Sequence, residues 1–217
     1  MAFGKGRDNR VAFVEDSIQN VAHIVTQSIH LLEKEITIES EKIKKEAKQF
    51  GNGDKEIEID IASYLYENNP ISIWEEYISD LRGAHFCSIY NMFEKLLKFI
   101  RIEFDIIEGQ KDKKKSYVYN EISYIKAYLA IESFDAELEG LIAKIETEYK
   151  NIRVNITHGE TKKLGYLKEI LKDEPSISVN KVTVIFHNNK YLNILISDIQ
   201  KVIILIARLV EEKSKKQ

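Results

Sequence analysis

Long stretches of helical periodicity, almost free of proline, constrain this chain more than any other feature. Only two prolines occur in 217 residues, at positions 70 and 175, so the backbone can continue in regular elements for tens of residues. Apolar residues recur every three or four positions over Val14–Ile36 and again over Trp74–Phe104, which places them on one face of a helix. The pattern predicts a mainly all-α fold, an antiparallel helical bundle with a long N-terminal helix.

Glycines, the first proline and a charged loop mark where the predicted helices end. Asp8 is the predicted N-cap of the first helix, which is either one long bent helix or two helices in series and which ends at Gly51-Asn52-Gly53. In chain order, the following predicted elements are a short helix over 57–66, a break at Asn69-Pro70, a helix of about 35 residues, the loop Gly109–Ser116 and a third helix over 119–131.

The last third of the chain combines helices with a small hairpin. A fourth helix after Ser133 has the cleanest apolar stripe and ends near Gly159. Alternation of apolar and polar residues around Val184 predicts a strand. The elements predicted here are the fourth helix, a short basic helix over 162–172, a hairpin with strands over 182–186 and 192–196 around a turn at 187–190, and a last helix over 198–212.

Composition narrows the class of protein. Hydrophobic residues make up 44% and charged residues 31%, which suits one folded domain over residues 1–217, with an N-terminal helical extension over 1–55 left open as a subdivision. The single cysteine, Cys87, excludes an internal disulfide or a cysteine-cluster metal site, and a reducing cytoplasm is the expected location. The N-terminal residues 1–10 have no apolar stretch of the signal-peptide kind.

Charge and hydropathy also limit the expected partners. The most apolar run, Val202–Ala207, is far shorter than the roughly 20 residues that cross a bilayer, so no membrane is expected. A formal net charge of −3 argues against nonspecific coating of nucleic acid but leaves room for a local basic site. No histidine follows a glutamate at the spacing of di-iron bundles, so neither a metal nor another cofactor is predicted.

Arg153 and His158, at the end of the fourth predicted helix, are the candidates for catalysis. A histidine exchanges protons near neutral pH, so His158 can accept the proton of an RNA 2′-hydroxyl or donate one to the leaving 5′-oxygen. A guanidinium can hold a phosphate while negative charge grows on it, which is the matching role for Arg153. The negative end of the helix dipole favours a charged His158, the form that acts as the acid.

This segment resembles the Arg-x4-6-His motif of the HEPN superfamily, whose members are antiparallel helical bundles, many of them toxin or antiviral ribonucleases of prokaryotes. The stretch Ala84–Lys98, with Tyr90, Phe93 and Glu94, is similar to an aromatic-rich helix that precedes the motif in several members. The resemblance implies an HEPN-type ribonuclease acting on RNA, tRNA included, as a homodimer, with a regulatory partner such as an antitoxin.

The same resemblance assigns roles to individual residues. It implies that Arg153 binds phosphate, that His158 acts as a general acid or base, and that Asn155 has a supporting role in orienting the histidine. The chain departs from the commonest pattern in placing Val154, and not the asparagine, directly after the arginine. Glu160 stands where some toxins of the family carry a modified tyrosine, which argues against regulation by that route.

Helical geometry constrains how the motif can work. Arg153 and His158 lie roughly 140° apart around an ideal helix and about 7.5 Å apart along it, so one straight helix does not direct both at one phosphate. Either the helix distorts before Gly159, or two copies of the motif face each other across a two-fold axis.

Nearby lysines are weaker candidates for contacts to RNA phosphate: Lys150, Lys162 and Lys163. The competing prediction is a non-catalytic HEPN-like module for dimerisation, nucleotide binding or partner binding.

Overall fold

The structure, a computed structural model, describes residues 9–216 of the chain, apart from the side chains of Asn9, Glu75 and Glu76. The predicted N-cap Asp8 lies outside the described residues. The elements in chain order are α1 (Asn9–Gly51), α2 (Lys55–Glu67), α3 (Pro70–Glu103), α4 (Tyr117–Leu129), α5 (Ala136–Lys144), a π-helical turn (Ile145–Tyr149), α6 (Lys150–His158), α7 (Leu164–Ile170), β1 (Ile177–Val179), β2 (Val184–Phe186) and α8 (Lys190–Lys215). The prediction of a mainly all-α fold is confirmed.

The breaks of the N-terminal half lie where they were predicted, and side chains cap the two helices that follow them. α1 is one continuous helix that ends at Gly51. The carboxylate of Asp54 accepts hydrogen bonds from the backbone N–H groups of Glu56 and Ile57 and so caps α2. The Asn69 side chain caps α3 through the N–H of Ile71, and Pro70 occupies the first helical position, where no N–H is needed.

The core forms between α3 and α8, which pack against each other and against α1. α4 covers both helices, and α6 lies against α3. Aromatic rings from four parts of the chain meet at the centre, within about 6 Å of one another: Phe86, Tyr149, Phe186 and Tyr191. No helix within residues 9–216 combines the length and apolar content that a membrane crossing requires.

A hairpin exists, but only one of its strands lies where it was predicted: β2 falls within the predicted first strand, 182–186, and it pairs with a strand before it, not with 192–196 across a turn at 187–190. β1 (Ile177–Val179) pairs antiparallel with β2 (Val184–Phe186), and the turn falls over 180–183. Residues 192–196, predicted as a strand, belong to α8, which begins eight residues before the predicted start at Asp198. The reason is burial at helical spacing, because Leu192, Leu195 and Ile199 all face the core.

The fourth predicted helix is continuous from Ala136 to His158 but contains the π-helical turn. A π turn holds one residue more than an α turn and is a common feature of functional sites. Ile145 and Tyr149, at its two ends, are fully buried, so the turn keeps both in the core. Beyond it, α6 continues as a regular α-helix to His158.

Candidate functional site

Arg153 lies on α6 and is held against α3 from three directions. Its Nε donates to Asn91 Oδ1 at 2.9 Å, and its guanidinium carbon lies 5.3 Å from the centroid of the Tyr90 ring. Nη2 is 3.9 Å from Glu94 Oε2, which makes an ion pair but not a hydrogen bond. Among the described residues, the two terminal nitrogens donate no hydrogen bond, so the group is oriented while its outer N–H donors remain free.

Glu94 is the nearest anion to Arg153, and its surroundings act on its pKa in opposite directions. Burial raises the pKa of the Glu94 carboxyl above its ordinary value, and the nearby Glu146 raises it further. Arg153 and Lys150 oppose that shift. Burial likewise raises the pKa of Tyr90, so its ring contacts the arginine as a neutral phenol.

Glu146 belongs to the π turn and marks a second part of the site. Ser116, the N-cap of α4, donates a hydrogen bond to its Oε2, while Oε1 is buried with no hydrogen-bond partner. Glu146 also lines a hollow of about 410 Å³ between α4 and the α5–α6 helix, together with Lys115 and Lys150. Acidic and basic groups therefore meet at this hollow, and Lys150 is one of them.

Sequence reasoning did not select Asn91, Glu94 or Glu146 as site residues. Tyr90 and Glu94 are one helical turn apart, and Asn91 follows Tyr90, so all three can project from neighbouring positions of one helix. That spacing is the one sequence pattern that could have indicated these residues. It does not predict which other helix these side chains contact, because the contact to Arg153 spans 62 positions of the sequence.

His158 is the last residue of α6, and its side chain is exposed. Within residues 9–216 its ring makes no hydrogen bond or ion pair. Gly159 follows in the left-handed region with φ of 61°, and its N–H bonds to Asn155 O at 2.8 Å. The helix thus ends cleanly after His158, and it does not distort between Arg153 and His158. The structure does not bring these two side chains together by a bend at Gly159.

Asn155 is buried and binds the hairpin. Its amide nitrogen donates to Glu160 O at 3.1 Å and to Val182 O at 3.2 Å. Its Oδ1 accepts from Val184 N at 3.1 Å and from Thr183 Oγ1 at 3.3 Å. These four bonds use the full capacity of the amide, so the structure directs Asn155 to β2 and its turn, and not to His158.

The lysines of the predicted site lie in two places. Lys150 is half-buried beside the hollow, whereas Lys162 and Lys163 are exposed in the connection between α6 and α7. The structure thus separates Lys150 from the other two. Among the described residues, no three His, Cys, Asp or Glu side chains are grouped as a metal site requires.

Comparisons with protein-family models, with curated proteins and with solved structures find no match for this chain. The resemblance to the HEPN superfamily therefore depends on the residues quoted above.

Proposed function

We propose that the chain is a metal-independent endoribonuclease of HEPN type that acts as a homodimer, with Arg153 and His158 as its catalytic residues. The observation that carries the proposal is how two side chains of one nine-residue helix, α6, are oriented and exposed. The Arg153 guanidinium is oriented by Asn91 and Tyr90 with its outer donors free, and His158 is exposed and unbonded within the described residues. A toxin or phage-defence effector is the expected biological class.

The chemistry needs one base, one acid and one fixed cation. The RNA 2′-oxygen attacks the adjacent phosphorus, its proton passes to the base, and the P–O5′ bond breaks as the 5′-oxygen receives a proton from the acid. The products are a 2′,3′-cyclic phosphate and a 5′-hydroxyl. His158 supplies one of the two proton transfers, and Arg153 stabilises the charge that grows on the non-bridging oxygens. Neither step requires a metal.

Two copies are needed because α6 is regular between the two residues. With the side chains about 140° apart around the helix, the arginine of one copy and the histidine of the other are better placed to share a phosphate than two from one helix. Lys150, Lys162 and Lys163 would extend the contact to the RNA backbone. Any antitoxin would then act by covering this surface or by separating the copies.

The experiment is cleavage of total RNA and of tRNA by purified protein in EDTA. We expect cleavage by the wild type and loss of it in Arg153→Ala and His158→Ala, with the exposed His23→Ala as a matched histidine control that keeps activity. Activity that survives both substitutions, or its absence from the wild type, would refute the proposal.

A mixing experiment tests the shared site. Equal amounts of Arg153→Ala and His158→Ala chains associate at random, so half of the dimers carry one intact site and about a quarter of the wild-type activity should return. If each site used both residues of one chain, mixing would restore nothing. Cleavage at a quarter of the wild-type rate therefore distinguishes the two arrangements.

A second candidate is a non-catalytic helical module that binds a partner protein or a nucleotide. The observation that favours it is the acidic neighbourhood of Arg153, where Glu94 forms an ion pair with the guanidinium and Glu146 raises the pKa of Glu94. Two carboxylates would oppose the approach of RNA phosphate. Growth inhibition on expression that is unaffected by His158→Ala, together with absent RNA cleavage, would favour this module.

A further inference from the structure

The helix α2 is apolar in composition but unburied in structure. Three of its thirteen residues are isoleucines, and it also carries a leucine and two tyrosines, yet none of its residues is buried. Ile57, Ile59 and Tyr64 are exposed by 49%, 66% and 67%. Burying an isoleucine side chain stabilises a protein by about 1.5–3 kcal/mol, so a helix of this composition is expected to be covered.

α2 packs along the C-terminal part of α1 and barely touches α3. The apolar residues in the first part of α1, Val14, Ile18, Val25 and Ile29, belong to the main core, whereas the buried Ile43 and Ala47 lie outside it. The end of α1 and the whole of α2 therefore form a helical hairpin beside the main core. Its outer surface is available to another molecule.

Two adjoining hollows lie along this hairpin, with volumes of about 360 and 380 Å³. Both are lined by Lys44 and Ala62, so they form one continuous groove, which we name the α1–α2 groove. Ile43 and Ala47 line it from α1, and Ile59 lines it from α2. The groove is thus apolar at its floor and bordered by charged side chains.

The charges of the hairpin are opposite on its two helices. Residues 42–51 of α1 carry four lysines and one glutamate, a net charge of +3. α2 carries four acidic residues and one lysine, a net charge of −3. A two-fold axis across the hairpin would place each acidic α2 beside the basic end of α1 from the other copy. The surface is therefore complementary in charge to itself.

We propose that the α1–α2 groove binds the same groove of a second copy of this chain, so that two hairpins form an intermolecular four-helix bundle. The exposed isoleucines of α2 would fill the partner's groove, and the opposed charges would fix the antiparallel orientation. The second copy is favoured over an unrelated partner because one hairpin presents both halves of the complementary pattern. The proposal does not depend on the ribonuclease activity.

The first test is analytical ultracentrifugation of the full chain over a range of concentrations. We expect the wild type to associate through the groove, and Ile59→Asp, which places a charge there, to raise the dissociation constant of that step at least tenfold. Copies that pair through α6 would remain paired in both proteins, so the groove step is the association that Ile59→Asp loses. Ile107→Asp is the matched control, because Ile107 is 88% exposed in the loop between α3 and α4. Both positions are on the surface, and circular dichroism spectra that match the wild type show that the variants fold.

The second test is a pair of charge reversals, each of which weakens association only if α1 of one copy faces α2 of the other. One variant carries glutamate at Lys44, Lys45 and Lys48, and the other carries lysine at Glu56 and Asp60; all five positions are exposed. Each variant alone should dissociate, whereas a mixture of the two should form heterodimers.

Three results would overturn the proposal. The first is a wild type that stays monomeric to about 100 µM, weaker than a functional dimer needs. The second is a wild-type assembly whose size and dissociation constants are all unaffected by Ile59→Asp, and the third is a pair of reversed variants that do not recover association on mixing.

Discussion

Replacing Asn155 by alanine is expected to destabilise the fold by about 3 kcal/mol, because this one amide joins α6 to the hairpin. The buried Val184 N–H loses its acceptor, and an unsatisfied buried donor costs about 1–3 kcal/mol. Two partly buried carbonyl groups, of Glu160 and Val182, lose their donors at about 0.5–1.5 kcal/mol each. For a chain of this length the sum corresponds to a decrease in Tm of roughly 6–12 °C.

Urea denaturation followed by circular dichroism measures this change. Asn151→Ala is the matched control, since Asn151 lies on the same helix one turn earlier and its side chain makes no hydrogen bond within the described residues. We expect the control to remain within about 0.5 kcal/mol of the wild type, as surface substitutions usually do. A free energy of unfolding for Asn155→Ala that is equally close to the wild type would refute the reasoning. Loss of cleavage with unchanged stability would instead support the catalytic role that the resemblance implies.

Four other substitutions test the packing and the backbone. Arg82→Met should lower the free energy of unfolding in urea by about 2–4 kcal/mol, because the buried guanidinium pairs with Glu33 and donates to two backbone carbonyls. Burial lowers the pKa of His85 below 6.5, so the unfolded chain binds the proton more readily and stability falls as the pH drops below 6.5; His85→Gln should lose that part of the pH dependence in urea titrations. Gly159→Ala should cost about 1 kcal/mol because φ is 61°, whereas Gly140→Ala, inside α5 with open space for a Cβ, should stabilise by about 0.4–1 kcal/mol in thermal melts.

Controls separate these effects from general damage. His23→Gln, at an exposed position, is the control for the loss of a histidine as such. A His85→Gln variant with the same pH dependence as the wild type would contradict the inferred pKa. Equal effects of alanine at Gly159 and Gly140 would contradict the backbone argument, and an Arg82→Met variant as stable as the wild type would show that its bonds are replaced by water.

The helices of the N-terminal half could be predicted because their boundaries are encoded locally. The Asn69 cap and Pro70 are adjacent in the chain, and Gly51 ends α1 where the apolar spacing stops. The strand that pairs with β2 could not be assigned in this way. A short apolar run such as 192–196 fits a strand or a buried helix equally well, and only the burial of Leu192 and Leu195 against the bundle decides between them.

The candidate site, too, could be predicted only in part from the sequence. The separation of Arg153 and His158 follows from helical geometry alone, and the regular α6 preserves it, so the need for a second copy could be argued from the sequence. The direction in which the Arg153 side chain points could not be predicted from the sequence. The π turn contains one residue more than an α turn, which turns all later positions by about 100° relative to an uninterrupted helix. The apolar ends of the turn, Ile145 and Tyr149, have the spacing of an ordinary helix, so the apolar pattern does not reveal the π turn that precedes Arg153.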